Sequence, residues 1–198
     1  MKKLSVVSLT LFFFIVSAQP LLAAARSWEL DKAHTNFYFA VDHIYSKIRG
    51  HFNEYSGEVK FDPNNLAESK FSFKIETASI DTNIAKRDKH LQSADFFDAD
   101  KYPLMTFEST KITAAGNGLY EVLGKFTVKG VEYELLLPLT LAGIKDHPAV
   151  KGKEVVGLNG KVIIDRLAYK VGDGKFYNLG VVGKDVEILV SIEALADK

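Results

Sequence analysis

Five histidines, His34, His43, His51, His90 and His147, are the side chains here best suited to metal ligation or to proton transfer near neutral pH. No two stand at the H-x-x-x-H or H-E-x-x-H spacing that puts a pair of imidazoles on one helical face, and the chain contains no cysteine. They are read as surface or hydrogen-bonded histidines, with no metal and no cofactor expected. Acyl transfer would need a serine activated by a histidine and an acid. The sequence has no G-x-S-x-G elbow, although a triad gathered from distant residues would leave no local signature. Gly172-Asp173-Gly174-Lys175 lacks the spacing of a phosphate-binding loop and reads as a turn. The chain is therefore not expected to be an enzyme.

The segment with most chemical promise is Arg87-Asp88-Lys89-His90-Leu91, followed by Phe96 and Phe97. By itself it is a solvated helix face whose local ion pairs contribute a few tenths of a kcal/mol each. With aromatic surface next to it, the same set of donors suits an amphipathic ligand: a polar head for Arg87 and His90, an apolar tail for the rings. His43 shares the parity of Phe37, Phe39 and Val41, so it is a third candidate contact for the head.

The elements that must position these residues are strands. Apolar and polar residues alternate over long stretches, the period of a half-buried strand. Phe71, Phe73 and Ile75 against Lys70, Ser72, Lys74 and Glu76 make the cleanest case. Tyr120, Val122, Phe126 and Val128 form another face, and Lys129-Gly130 is a tight turn into the run Val131, Tyr133, Leu135, Leu137, Leu139 and Leu141. Further strands are expected at Tyr55, Val59 and Phe61, at Met105 and Phe107, at Val156 to Ile164, and at Val186 to Ile192. About eight strands joined mostly by short turns imply an antiparallel meander, which removes its exposed edges by closing into a barrel. A two-sheet sandwich shows the same alternation; the length of the strands favours the barrel. Residues 83–93 break the pattern as a short helical insertion, with Asp81 or Thr82 as its cap and a place beside or over the barrel mouth. Residues 145–153 read as a polar loop.

The chain starts with Lys2 and Lys3, an apolar run over residues 4–16, and Leu22-Ala23-Ala24-Ala25, the three parts of a secretory signal. The run falls short of the roughly 20 residues of a membrane-spanning helix. The reading is a cleavable leader over residues 1–25 and one folded domain over residues 26–198, released outside the cytoplasm. The 198-residue chain has formal charge zero, which points away from nucleic acid as a partner. Without cysteines, an exported domain has no disulfides and must rest on its core.

These residues resemble the YceI-like family of exported bacterial proteins. Trp28-Glu29-Leu30-Asp31 with His34-Thr35 is similar to the family's opening W-x-(apolar)-D-x-x-H-S/T, Gly50-His51-Phe52 to its G-x-F, and Ser79-Ile80-Asp81-Thr82 to its S-I-D-T. Arg87 to Leu91, Asp95-Phe96-Phe97-Asp98 and Tyr102-Pro103 are similar to R-D-x-H-L, D-F-F-D and Y-P. Two positions depart from the pattern: Lys32 stands where a proline is common, and Lys170 stands where a glycine often follows Arg-x-x-Phe/Tyr. The resemblance implies an all-β, extended, eight-stranded lipocalin-like barrel in the periplasm, sometimes dimeric, whose elongated cavity holds an isoprenoid, a quinone-like lipid or another lipid-like chain. On that basis Phe39, Phe73, Phe107 and Phe126 are expected to line a tunnel, with Phe97 beside it and Arg87, His90 and His43 at the head. Two competing expectations are a small outer-membrane barrel, which shares the alternation, and a filled barrel serving in protein interaction or stress response.

Overall fold

The computed structural model describes residues 24–198, so the leader expected over residues 1–25 lies outside them apart from Ala24 and Ala25. Eleven strand segments are present among the described residues: β1 (Ser27–Leu30), β2 (Asn36–His43), β3 (Ser46–Phe52), β4 (Tyr55–Lys60), β5 (Lys70–Glu76), β6 (Ile80–Asp81), β7 (Leu104–Gly116), β8 (Leu119–Val128), β9 (Val131–Asp146), β10 (Lys153–Asp165) and β11 (Val182–Asp197). They build eight walls. β1 and β2 are two halves of one wall, since β11 pairs with β1 at Leu195 and Ala194 and with β2 from Ser191 back to Val182. β3 and β4 form the next wall in the same manner, separated by Asn53 and Glu54 and pairing with β2 and β1 respectively. β5, with β6 continuing it against β3, makes the third, and β7 to β11 follow as a meander. Pairing of β1 with β11 closes the ring, giving the antiparallel eight-stranded barrel expected from the alternation.

Local chemistry sets the corners. Lys129 (φ 49°) and Gly130 (φ 71°) are both left-handed, the conformation a two-residue hairpin between right-twisted strands requires, and Val128 faces Val131 across it. Outward positions carry cross-strand ion pairs: Lys70 to Glu108 at 2.6 Å, Lys125 to Glu132 at 3.0 Å and Lys161 to Glu187 at 2.5 Å. Inward positions are apolar and divide the interior into two compartments. One end is packed solid around Trp28, Phe61, Phe71, Leu139, Leu158 and Ile192, with edge-on rings such as Phe61 and Tyr120 5.1 Å apart. Its polar atoms are satisfied: the Trp28 indole donates to the Phe61 carbonyl at 2.9 Å, and the Tyr55 hydroxyl to the Thr35 carbonyl at 2.6 Å. The other end holds a smaller cluster of Phe52, Ile80, Phe96, Met105, Val128 and Val171.

The helical insertion is α1 (Ala85–Gln92), lying between β6 and β7. It begins later than a cap at Asp81 or Thr82 would place it, and this corrects the sequence reading: Ile84 is the N-cap and offers no side-chain cap. The reason is local. The Asp81 carboxylate accepts the Asn83 N–H at 2.7 Å, and Asn83 turns left-handed (φ 64°), so the chain reverses once before it coils. The loop expected over residues 145–153 shrinks to 147–152 because β9 and β10 extend into it, and Lys175 opens the single-turn α2 (Lys175–Asn178) behind a left-handed Gly174.

Candidate ligand-binding cavity

At the end of the barrel away from the packed core lies a cavity of about 160 Å³. Phe37 belongs both to the packed core and to the cavity wall, so it marks the floor. Phe39, Ile75, Phe126, Ile164, Val186 and Ile188 form walls; all six are only half-buried although they point inward, because part of their surface faces open space. The lid side is made by Leu91 of α1, by Phe96 and Phe97, and by Tyr169 and Val171 of the segment after β10. Phe39 fits its wall because the residue opposite is Gly50; a Cβ there would stand 2.5 Å from the Phe39 ring.

Three of the residues singled out in the sequence, Phe39, Phe97 and Phe126, are therefore at the cavity. Phe73 and Phe107 point inward as expected but sit in the packed core, 2% and 6% exposed, below the floor. They differ from Phe39 in what stands across the barrel: Phe73 meets Phe37 with ring centroids 5.2 Å apart. His43 lies at the end of β2, half-buried and away from the lining.

Arg87 and His90 are also off the lining, and their contacts tie the lid together. The Arg87 guanidinium donates to the Thr82 hydroxyl and carbonyl, both at 2.7 Å, while Asp88 accepts the Thr82 N–H at 2.9 Å. The S-I-D-T and R-D segments thus clamp each other around a buried Thr82. His90 pairs with Asp95 at 3.0 Å and stands edge-on to Phe96 and Phe176. Lys129 completes the tie by donating to the Phe96 carbonyl at 2.6 Å.

The cavity residue that sequence reasoning passed over is Arg166, 5% exposed and part of the lining. Its side chain donates to the carbonyls of Gly183 and Val171, each at 2.8 Å, so it pins the turn over residues 166–171 to an irregularity in β11. Burial pushes the guanidinium pKa down, with Asp165 and Asp173 acting weakly in the other sense. The available signal was the Arg166-Leu167-Ala168-Tyr169 segment, noted only for its departure at Lys170. Lys170 is left-handed (φ 59°), which is why glycine suits that place. Near by, Tyr133 and Tyr169 pack with centroids 4.6 Å apart, and the Tyr133 hydroxyl is buried without a partner.

On the barrel wall, at the break between β1 and β2 beside β11, Asp31, His34 and Glu193 bring one ligand-type atom each to within 4.8 Å of one another. No chain spacing revealed this group, because Glu193 comes from β11. His34 Nδ1 lies 2.7 Å from Asp31, whose proximity raises the histidine pKa and lowers its own.

A closed antiparallel barrel, packed at one end and holding an apolar cavity beside a short helix at the other, is a lipocalin-like barrel. The family model of the YceI-like domain matches residues 28–194, and the chain belongs to the YceI-like family. A UPF0312 protein of Vibrio parahaemolyticus is 42% identical over 137 residues, 68% of this chain and 72% of its own. Among solved structures, Burkholderia cenocepacia BcnA is similar with a TM-score of 0.75 and 29% identity, over 84% of this chain and 99% of BcnA. A polyisoprenoid-binding domain from Saccharophagus degradans shares the fold at a TM-score of 0.64 and 16% identity, over 87% of this chain and 99% of its own.

Proposed function

We propose that the protein binds and carries, or sequesters, an amphipathic isoprenoid or other lipid-like molecule in the periplasm, reaching it by the leader over residues 1–25. The observation that carries this reading is apolar side-chain surface left uncovered inside the barrel, at Phe39, Phe126, Val186 and Ile188, beneath a lid. Packed interiors leave few voids, so apolar surface kept open at one end and not at the other is a place for something apolar. The Saccharophagus domain, described as polyisoprenoid-binding, offers a precedent for the shape alone.

The energetics fit a carrier that works beside membranes. Each buried methylene is worth ~0.8 kcal/mol against water, but a lipid starts in a bilayer, where that gain is already made. The barrel must then match the bilayer by shape and by contacts with the head. At about 160 Å³ the cavity resembles in size the engineered apolar cavity, ~150 Å³, that takes up benzene. A longer chain enters by moving the half-buried lid side chains Leu91, Phe97 and Tyr169 outward.

Outward ion pairs on β5 to β11 argue against a membrane-embedded barrel, whose outer band must be apolar. No helix of the described residues is long and apolar enough to cross a membrane. The solidly packed half favours a second reading, a barrel that serves only as a stress-response or protein-interaction module, monomeric or as a homodimer. Titration of the delipidated protein with quinones, polyprenols and fatty acids separates the two: saturable binding at one site supports a carrier, and no uptake of any of them supports the module.

A further inference from the structure

The cavity presents carbon on every side. Three lining residues bear a polar side-chain group, Tyr38, Arg166 and Tyr169, and each turns only carbon surface to the space. The polar groups of the segments beside it are engaged on the protein itself. The Arg166 guanidinium donates to the carbonyls of Gly183 and Val171 at 2.8 Å and of Val182 at 3.5 Å, and it lies so close to Gly172 that no Cβ would fit between them. Arg87 is held by Thr82, His90 by Asp95 and Lys129 by the Phe96 carbonyl. The Leu91 carbonyl accepts the Phe97 N–H at 3.0 Å, so the backbone at the two lining positions Leu91 and Phe97 is tied to itself. The buried, unpartnered Tyr133 hydroxyl is not part of the lining.

Such a wall selects by exclusion. A hydroxyl, carboxylate or phosphate drawn inside loses its water and meets no hydrogen-bond partner, whereas hydrocarbon gives up nothing polar on entry. We infer that the cavity admits hydrocarbon alone and rejects polar groups, so that its occupant is a small neutral hydrocarbon or the apolar end of a longer lipid whose head stays outside. This rests on the lipid-binding reading above and narrows it: the enclosed site recognises the end of a chain and is indifferent to the head. The size agrees, since a space of about 160 Å³ suits a group no larger than a benzene ring or little more, the end of a chain and not its length. A head left in water is hydrated beside the barrel as it was at a bilayer surface, and needs no partner inside.

The test uses two matched pairs, titrated by calorimetry into the unaltered delipidated protein at pH 7. Toluene and phenol share a shape and differ by a methyl against a hydroxyl; decanol and decanoate share a chain and differ in the head. Toluene is expected to bind at one site and phenol about tenfold or more weakly, because its hydroxyl must be enclosed without a partner. Decanol and decanoate are expected to bind within about threefold of each other, their heads remaining in water. Val186→Phe, which fills the space from its wall, is expected to weaken toluene by about tenfold or more, and unchanged affinity in the folded variant would place toluene elsewhere and overturn the assignment. If that variant does not fold, the two pairs on the unaltered protein still decide. Phenol as tight as toluene, or decanoate about tenfold tighter than decanol, overturns the exclusion of polar groups and leaves the lipid-binding reading standing. Toluene bound without either decyl compound supports the hydrocarbon site, with a small hydrocarbon as its occupant, and overturns the carrying of lipids. Decyl compounds bound without toluene place the lipid outside this cavity and overturn the inference, and no binding by any of the four overturns both.

Discussion

At the scale of single residues, some charged side chains link neighbouring strands and others hold turns. His34 and Asp31 brace the turn between β1 and β2, 2.7 Å apart. His34 has its pKa raised above 6.5 and Asp31 has its own lowered below 3.8, each by the other. Linkage fixes the sign. The His34 contribution is complete below about pH 6.5 and is lost as pH rises through the raised value. That of Asp31 is present above about pH 3.8 and is lost as pH falls through the lowered value. The pair thus stabilises most near pH 5. Thermal unfolding of the native protein and of His34→Ala is expected to differ more at pH 5 than at pH 8.5, by a small amount because the ring is 62% exposed. An equal difference at both pH values would contradict it. Neither this group nor the burial of Arg166 was legible in the sequence. Glu193 is 159 positions from His34, and an arginine after a strand reads as surface until the turn over residues 166–171 is seen to fold over it.

At the scale of elements, alternation carried most of the information. The hairpin at Lys129-Gly130, the strand at Phe71 to Ile75 and the insertion before β7 could all be read from pattern, because each depends on near neighbours in the chain. The helix start could not, since the left-handed Asn83 that delays it is held by a single side-chain contact from Asp81. Lys170 offers a test of turn chemistry. A non-glycine residue at φ 59° bears a steric cost of about 1 kcal/mol, so Lys170→Gly is expected to raise stability by up to that amount, less the greater entropy of the unfolded chain. Denaturant unfolding with an unchanged slope measures it. A loss of stability would mean that the lysine side chain holds the turn through a contact of its own.

At the scale of the whole molecule, the barrel separates a packed half from a half that holds a cavity. Parity tells that Phe39 and Phe73 both point inward; it does not tell what stands across the barrel from each. That depends on where Phe37 meets Tyr55 and Phe73, and no local pattern holds such distances. The division has a direct consequence. Leu158, fully buried at the packed end, is expected to cost about 2–5 kcal/mol on replacement by alanine while leaving ligand affinity within about twofold. Phe39→Ala is expected to do the reverse, costing less because its ring already borders open space, and changing affinity severalfold. Paired denaturation and titration would show it, and parallel losses in both variants would contradict it. The central claim is that the uncovered apolar surface above Phe37 has a natural occupant. Native mass spectrometry of the protein purified from its own host without added lipid tests this most directly. The expected spectrum shows the chain lacking residues 1–23 or 1–25, plus one amphipathic molecule released on activation. A bare protein mass that also stays bare after exposure to host lipid extract would contradict the account.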